Sequence, residues 1–187
     1  MKRNLFHTLT LVSLLVTAVP CVASSDCQIT LSQPTLDLHV LRADDAVKKS
    51  RDWNEMQEQE INVSVYCPDA RKFAVFFGGT TNGKDQFTFG SQSNINMEVS
   101  KLTLDGQHYA VSKTNNQGSL VAQGSAADEL RVGNNEGIMP MAGNTLALGK
   151  QMNFTLTVTP RLTPGEFKVS DRTTLAADIS LTVVDGS

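Results

Sequence analysis

Two cysteines set in alternating runs restrict this chain more than any other feature. Cys27, Ile29 and Leu31 occupy every second position, and so do Ile61, Val63, Val65 and Cys67. Successive side chains of a strand point to opposite faces, so each run gathers its apolar residues and its cysteine on one side. Two strands that face one core, each with a cysteine on that face, can be stapled across it. The pattern predicts a Cys27–Cys67 disulfide. Closing a loop of about 40 residues this way contributes roughly 4 kcal/mol through the entropy it removes from the unfolded chain.

The first 23 residues read as a secretory signal. Lys2 and Arg3 supply a positive start, Leu5 to Ala18 is mostly apolar, Pro20 breaks the run, and Ala23 offers a small residue for cleavage. The run is short for a membrane-spanning helix, which needs about 20 residues. Pro20 fits poorly with lipid anchoring at Cys21, so export with cleavage is the expectation. Residues 24–187 are then a single domain of ordinary size, with two cysteines in an oxidising compartment. Removal of Lys2 and Arg3 leaves 14 basic against 19 acidic residues, a formal charge of −5. That balance argues against nucleic acid or an anionic membrane surface as a partner. With no second long apolar segment, the mature chain is expected to be soluble, with no membrane insertion.

The rest of the chain alternates strand and turn. Pro34 interrupts the first run, and Leu36, Leu38 and Val40 resume it. Residues 42–60 are charged and rich in helix formers, with Asp44/Lys48 and Asp45/Lys49 at i, i+4; a short surface helix or polar loop is expected. Trp53, the single tryptophan, is read first as a structural lid on the sandwich edge and second as a contact platform. Pro68-Asp69 is expected to turn out of the second cysteine strand. Phe73 to Phe77 (FAVFF) reads as a central strand buried on both faces, ending at Gly78-Gly79. Asn82-Gly83 marks a tight turn before Phe87 and Phe89. Ile95, Met97, Val99, Leu102 and Leu104 lead into Asp105-Gly106 and then Tyr109 and Val111, a hairpin about its favoured turn dipeptide. Residues 112–128 read mostly as loop, and Leu130 and Val132 as a brief strand. Met152, Phe154, Leu156 and Val158 alternate before Pro160 and Pro164-Gly165, both expected to turn the chain. Leu175, Ala177, Ile179, Leu181 and Val183 close it on a period of two. Many short strands punctuated by Gly, Asn and Pro predict an all-β sandwich.

Catalytic chemistry finds little footing in these residues. After signal removal two histidines remain, His39 and His108, each alone in its segment. There is no HExxH, paired CxxC, GxSxG or glycine-rich phosphate loop. Gly78, Gly79 and Gly83 near Lys84 are better explained by a hairpin than by anion binding, since no helix start follows. Asn62-Val63-Ser64 and Asn153-Phe154-Thr155 match the glycosylation pattern but fall inside predicted strands, where chance matches are expected. The expectation is a protein without catalytic activity, cofactor or metal.

Taken together, these residues resemble the subunits of bacterial chaperone–usher fimbriae. The resemblance rests on the signal, the cysteine on the first strand, the second ending INVSVYC, the apolar strand KFAVFFGG and the alternating terminal strand. It spans nearly the whole mature chain, with the cysteine pair as its most specific part. The resemblance implies an immunoglobulin-like sandwich lacking its final strand, which a second polypeptide supplies to a hydrophobic groove. The implied partners are a periplasmic fimbrial chaperone, an outer-membrane usher, a neighbouring pilin subunit and a host or surface receptor. On this view the protein passes through the periplasm to the cell surface as part of a pilus.

An apolar edge with nothing to pair it is an aggregation hazard, and donated strands are a known way to cover one. Leu175, Ala177, Ile179, Leu181 and Val183 are the expected wall of the groove, with Ile29 and Leu31 opposite. The family commonly carries a penultimate aromatic and an early glycine in the last strand; Gly186 and Thr174 stand there instead. Only Ser24, Ser25 and Asp26 precede Cys27 after the expected cleavage. Three residues span about 10 Å, too little to fill a neighbour's groove, so a tip position with a part in cell adhesion is expected. Trp53, Phe87 and Phe89 are the candidate receptor contacts. The alternative is a self-complete secreted β-sandwich that binds or inhibits another protein outside any fibre.

Overall fold

The computed structural model describes residues 26–81, 86–168 and 173–186. The signal segment and the Asn82-Gly83 turn lie outside them. The first part of the chain forms β1 (Gln28–Leu31), β2 (Lys48–Lys49), β3 (Asn54–Glu55), β4 (Gln59–Arg71) and β5 (Phe73–Gly79). The middle forms β6 (Phe87–Phe89), β7 (Ser93–Leu104), β8 (Gln107–His108), β9 (Ala110–Thr114) and β10 (Gln123–Ala127). Then follow β11 (Glu129–Val132), β12 (Gly137–Ala142), β13 (Thr145–Leu146), β14 (Gly149–Leu162) and β15 (Ile179–Asp185). Among the described residues no helix is long and apolar enough to cross a membrane.

These strands make two antiparallel sheets packed face to face, the expected all-β sandwich. The first runs β1-β4-β14-β7, with β6, β11 and β8 sharing the far edge of β7 and the β2–β3 hairpin attached to the end of β14. The second runs β10-β9-β12-β5-β15, with β13 on β12. The Cys27–Cys67 disulfide is present and ties the start of β1 to β4.

Alternation decides what fills the space between the sheets. Val63, Val65 and Cys67 of β4 and Met152, Phe154 and Leu156 of β14 point inward and are buried. They meet Phe73, Val75 and Phe77 of β5, and the Phe77 and Phe154 rings touch edge to face at 6.5 Å. The β7 pattern slips phase between Val99 and Leu102, and the backbone accounts for it. Asn153 and Thr155 of β14 pair with Thr103 and Ser100, so β7 carries one extra residue, with Lys101 at φ 55°. Such a bulge lets both Val99 and Leu102 face the core.

The Asp105-Gly106 hairpin forms as expected, with φ 50° and 80° at its two turn residues. The Asp105 carboxylate accepts hydrogen bonds from the backbone N–H groups of Lys150 and Gln151, which fastens the turn to the start of β14. FAVFF is buried on both faces, also as expected. Ala74 and Phe76 point outward and form a second small core with Met139 and Met141, covered by Leu120, Leu146 and Val184.

Several local expectations are overturned. Residues 42–60 form no α-helix: a 3-10 turn at Ala43–Asp45 leads into the β2–β3 hairpin. Lys48 reaches Glu55 at 3.9 Å across the hairpin, and Lys49 reaches back to Asp44 in the 3-10 turn at 3.6 Å. Pro68 does not end its strand, since β4 continues to Arg71. Pro160 sits inside β14 opposite Ile95. The N–H and C=O of one strand residue point to the same edge, and the Pro160 carbonyl faces Met56, from whose N–H it accepts a hydrogen bond. The missing donor therefore falls on that side, beyond the point where the β4 ladder stops at Val158. Leu36, Leu38 and Val40 make no strand; Leu36, Leu38 and Leu41 lean on the core from a ladder-free segment, and Val40 is exposed. Residues 112–128, read mostly as loop, hold most of β9 and all of β10.

Candidate functional site

The two sides of the sandwich are finished differently. On one side the chain crosses from β8 to β9 through Tyr109 and returns from β10 to β11 through Asp128, which joins the sheets covalently. On the other side β1 and β15 lie alongside each other. Among the described residues each has a single ladder partner, β4 for β1 and β5 for β15. The edge of β15 that faces away from β5 has no ladder partner among the described residues.

An apolar cleft of about 920 Å³ opens on this side. Ile61, Met97, Leu156, Val158 and Leu162 form its floor, and they are buried core residues. Ile179 and Leu181 of β15, with Leu175 and Ala177 just before it, form one wall. The opposite wall is Leu31 and the segment 33–43. Of the expected groove residues, the structure brings Leu31, Leu175, Ala177, Ile179 and Leu181 to the cleft. Ile29 and Val183 pack against the core without lining it. The expected terminal strand is also shorter than its alternation, because Leu175 and Ala177 precede β15 in residues that make no ladder. Sequence reading gave no role to Leu41, Leu162 or Phe167, which the structure adds to the cleft.

The wall before β15 is held by specific contacts. Gly90 adopts φ 69°, its N–H donates to the Ala176 carbonyl, and Leu175 Cδ2 lies 2.5 Å from where a Cβ would stand. Only glycine meets both demands. One oxygen of Glu166 accepts hydrogen bonds from the Ser91 and Gln92 N–H groups and the Ser91 hydroxyl, which ties the Pro164–Phe167 turn to the β6–β7 connection. At the other end of β15, Asp185 pairs with Arg71 at 2.9 Å and the Gly186 N–H donates to the Lys72 carbonyl.

Phe87 and Phe89 require a correction. Both side chains are inside the core, 1% and 5% exposed, because β6 pairs with the start of β7 and takes its inward register from it. Neither stands on the outer surface as a receptor contact would; Phe89 instead adds to the lining of the cleft, and Phe87 does not reach it. Trp53 is half-buried with the Arg161 guanidinium 5.2 Å from its ring centroid, so one face of the indole is occupied within the protein. His39 lies at the cleft rim beside Asp37, while His108 faces Asp128 at the closed side. No three His, Cys, Asp or Glu residues among those described gather to hold a metal. What the cleft provides is an apolar trough beside a strand edge that has no ladder partner among the described residues. No protein-family model matches the chain, and no curated protein matches it either.

Proposed function

We propose that this chain is a structural subunit of a bacterial surface fibre, with an immunoglobulin-like sandwich completed by a strand from a second polypeptide. The observation that carries this reading is the single-sided pairing of β15 directly beside the apolar cleft. An extended segment laid along β15 would gain main-chain hydrogen bonds from that edge and seat alternate side chains in the trough. A periplasmic chaperone, an usher and then a neighbouring subunit are the partners that belong to this reading. Tip location and a part in adhesion are its finer portion. They require a mature chain that begins close to Cys27, which N-terminal sequencing of the exported protein decides.

The central test compares residues 24–187 alone and with a peptide of alternating apolar residues. A ligand that binds only the folded state at 100 times its Kd adds about 2.7 kcal/mol, so the melting temperature should rise sharply. A monomer whose melting is indifferent to every such peptide would refute the reading. The second reading, a self-complete secreted sandwich, draws on Leu36, Leu38 and Leu41, which already rest on the core from the cleft side. Under it the protein stays monomeric at all concentrations, whereas an open sandwich self-associates as concentration rises.

A further inference from the structure

The outer face of the β1-β4-β14 sheet carries a feature that the cleft does not explain. In-register pairing places side chains there in rows. Thr30, Ser64 and Asn153 form one row across the three strands, and Ser32, Asn62 and Thr155 form the next. A third row sets Tyr66 between Gln28 and Gln151. An outward face is ordinarily polar, but this one is unusual in three respects. None of these nine positions is charged, in a chain where 19% of residues are. The surface is dished: the first two rows line a hollow of about 410 Å³, with Lys101 at its rim. Tyr66, next along β4 on the same face, is 52% exposed.

The bulge in β7 makes the rim. At φ 55°, Lys101 is the extra residue of its strand, and its ammonium is paired with Glu60 at 3.4 Å. Among the described residues Lys101 is the one charged residue that lines the hollow, and it is engaged by Glu60 outside it. Inside it, the Thr155 hydroxyl donates to Asn62 and the Ser32 hydroxyl accepts from the Asn62 N–H. The side chains of Thr30, Ser64 and Asn153 have no hydrogen-bond partner among the described residues. An amide offers two donors and an acceptor, and each hydroxyl offers both functions. Their capacity is unspent, neutral and bidirectional, beside an exposed aromatic ring.

We propose that this hollow is a binding site for a neutral saccharide of one or two rings. Vicinal hydroxyls both donate and accept, which matches Asn153, Ser64 and Thr30, and the apolar face of a sugar ring suits the Tyr66 ring. A phosphate or carboxylate ligand would find, among the described residues, only Lys101, which is already paired with Glu60. The site lies on the outer face of the sheet, meets the cleft only at Leu31 on the β1 edge, and does not depend on the fibre reading.

The test uses the full mature protein and ligand-observed NMR titration. The probes are galactose, glucose, mannose, N-acetylglucosamine, lactose and cellobiose, with N-acetylneuraminic acid as the anionic control. At least one neutral sugar should bind with a millimolar or tighter Kd, and the anionic one more weakly. Asn153→Ala should raise Kd about tenfold, the loss of roughly one well-made hydrogen bond. Tyr66→Ala should raise it several-fold, with the melting temperature unchanged. Should Asn153→Ala fail to fold, Thr30→Ala on the exposed edge strand substitutes for it. Absence of binding by all neutral probes, binding that survives both substitutions, or preference for the anionic sugar would each overturn the assignment. A peptide that raises the melting temperature without altering sugar binding leaves the two sites separate, as proposed.

Discussion

The closed and open sides of this sandwich are built from similar apolar residues, yet they spend them differently. Where the chain crosses between sheets at Tyr109 and Asp128, Leu102, Leu104 and Val111 are almost completely buried. Where β1 and β15 approach without pairing, Ile29, Leu31, Ile179 and Leu181 are only partly buried although they point toward the same core. β5 and β15 sharpen the contrast, being hydrogen-bonded neighbours of equal length. Phe73, Val75 and Phe77 are at most 1% exposed, whereas Ile179, Leu181 and Val183 are covered on one flank alone. Alternation fixes which way a side chain points; a neighbour on each flank determines how far it is buried.

Perturbing the two sides should break or sharpen that contrast. The largest loss is expected from Cys27→Ser with Cys67→Ser, because the disulfide holds the edge strand of the open side. About 4 kcal/mol should disappear from the unfolding free energy in guanidinium titrations. Leu102→Ala, on the closed side and fully buried, should cost about 3 kcal/mol through lost transfer energy and the cavity left behind. If it cost less than a matched substitution on β15, the contrast would be wrong. Glu166→Gln should remove about 1.5 kcal/mol by weakening charge-assisted bonds to Ser91 and Gln92, read from the thermal midpoint. Leu181→Ala should cost only about 1 kcal/mol in the isolated chain, since its side chain is only partly buried. The same substitution should cost more once a strand peptide is bound, and the difference between the two measurements is the burial that the peptide adds.

Much of this was legible because period two is a local signal. The cysteine strands, FAVFF, the Asp105-Gly106 hairpin and the Ile179–Val183 part of the terminal run could all be read from neighbouring residues. β12 could not: Gly137–Ala142 carries Pro140 and two methionines, is buried on both faces, and so lacks alternation. Pro68 and Pro160 looked like stops because their tolerance depends on which edge of the strand is unpaired, and that is set by distant partners. Phe87 and Phe89 show the same limit. Their spacing puts both rings on one face, but only the pairing of β6 with Ile95 and Ser93 decides that the face is the core. The cleft was half-visible, through Leu31 and the terminal run. Its floor was not, because Ile61, Met97 and Leu156 meet there from three strands far apart in sequence. The polar hollow was hidden for the same reason.

The small outer core over β5 has a mechanical consequence. With Phe73, Val75 and Phe77 gripped from one side and Ala74 and Phe76 from the other, β5 behaves as a rail that cannot slide without tearing two apolar layers. β15 is fastened to that rail at seven consecutive positions, from Ile179 opposite Gly79 to Asp185 opposite Phe73. A pull directed along β15 therefore loads all seven rungs together in shear, and no single rung at the end can give way first.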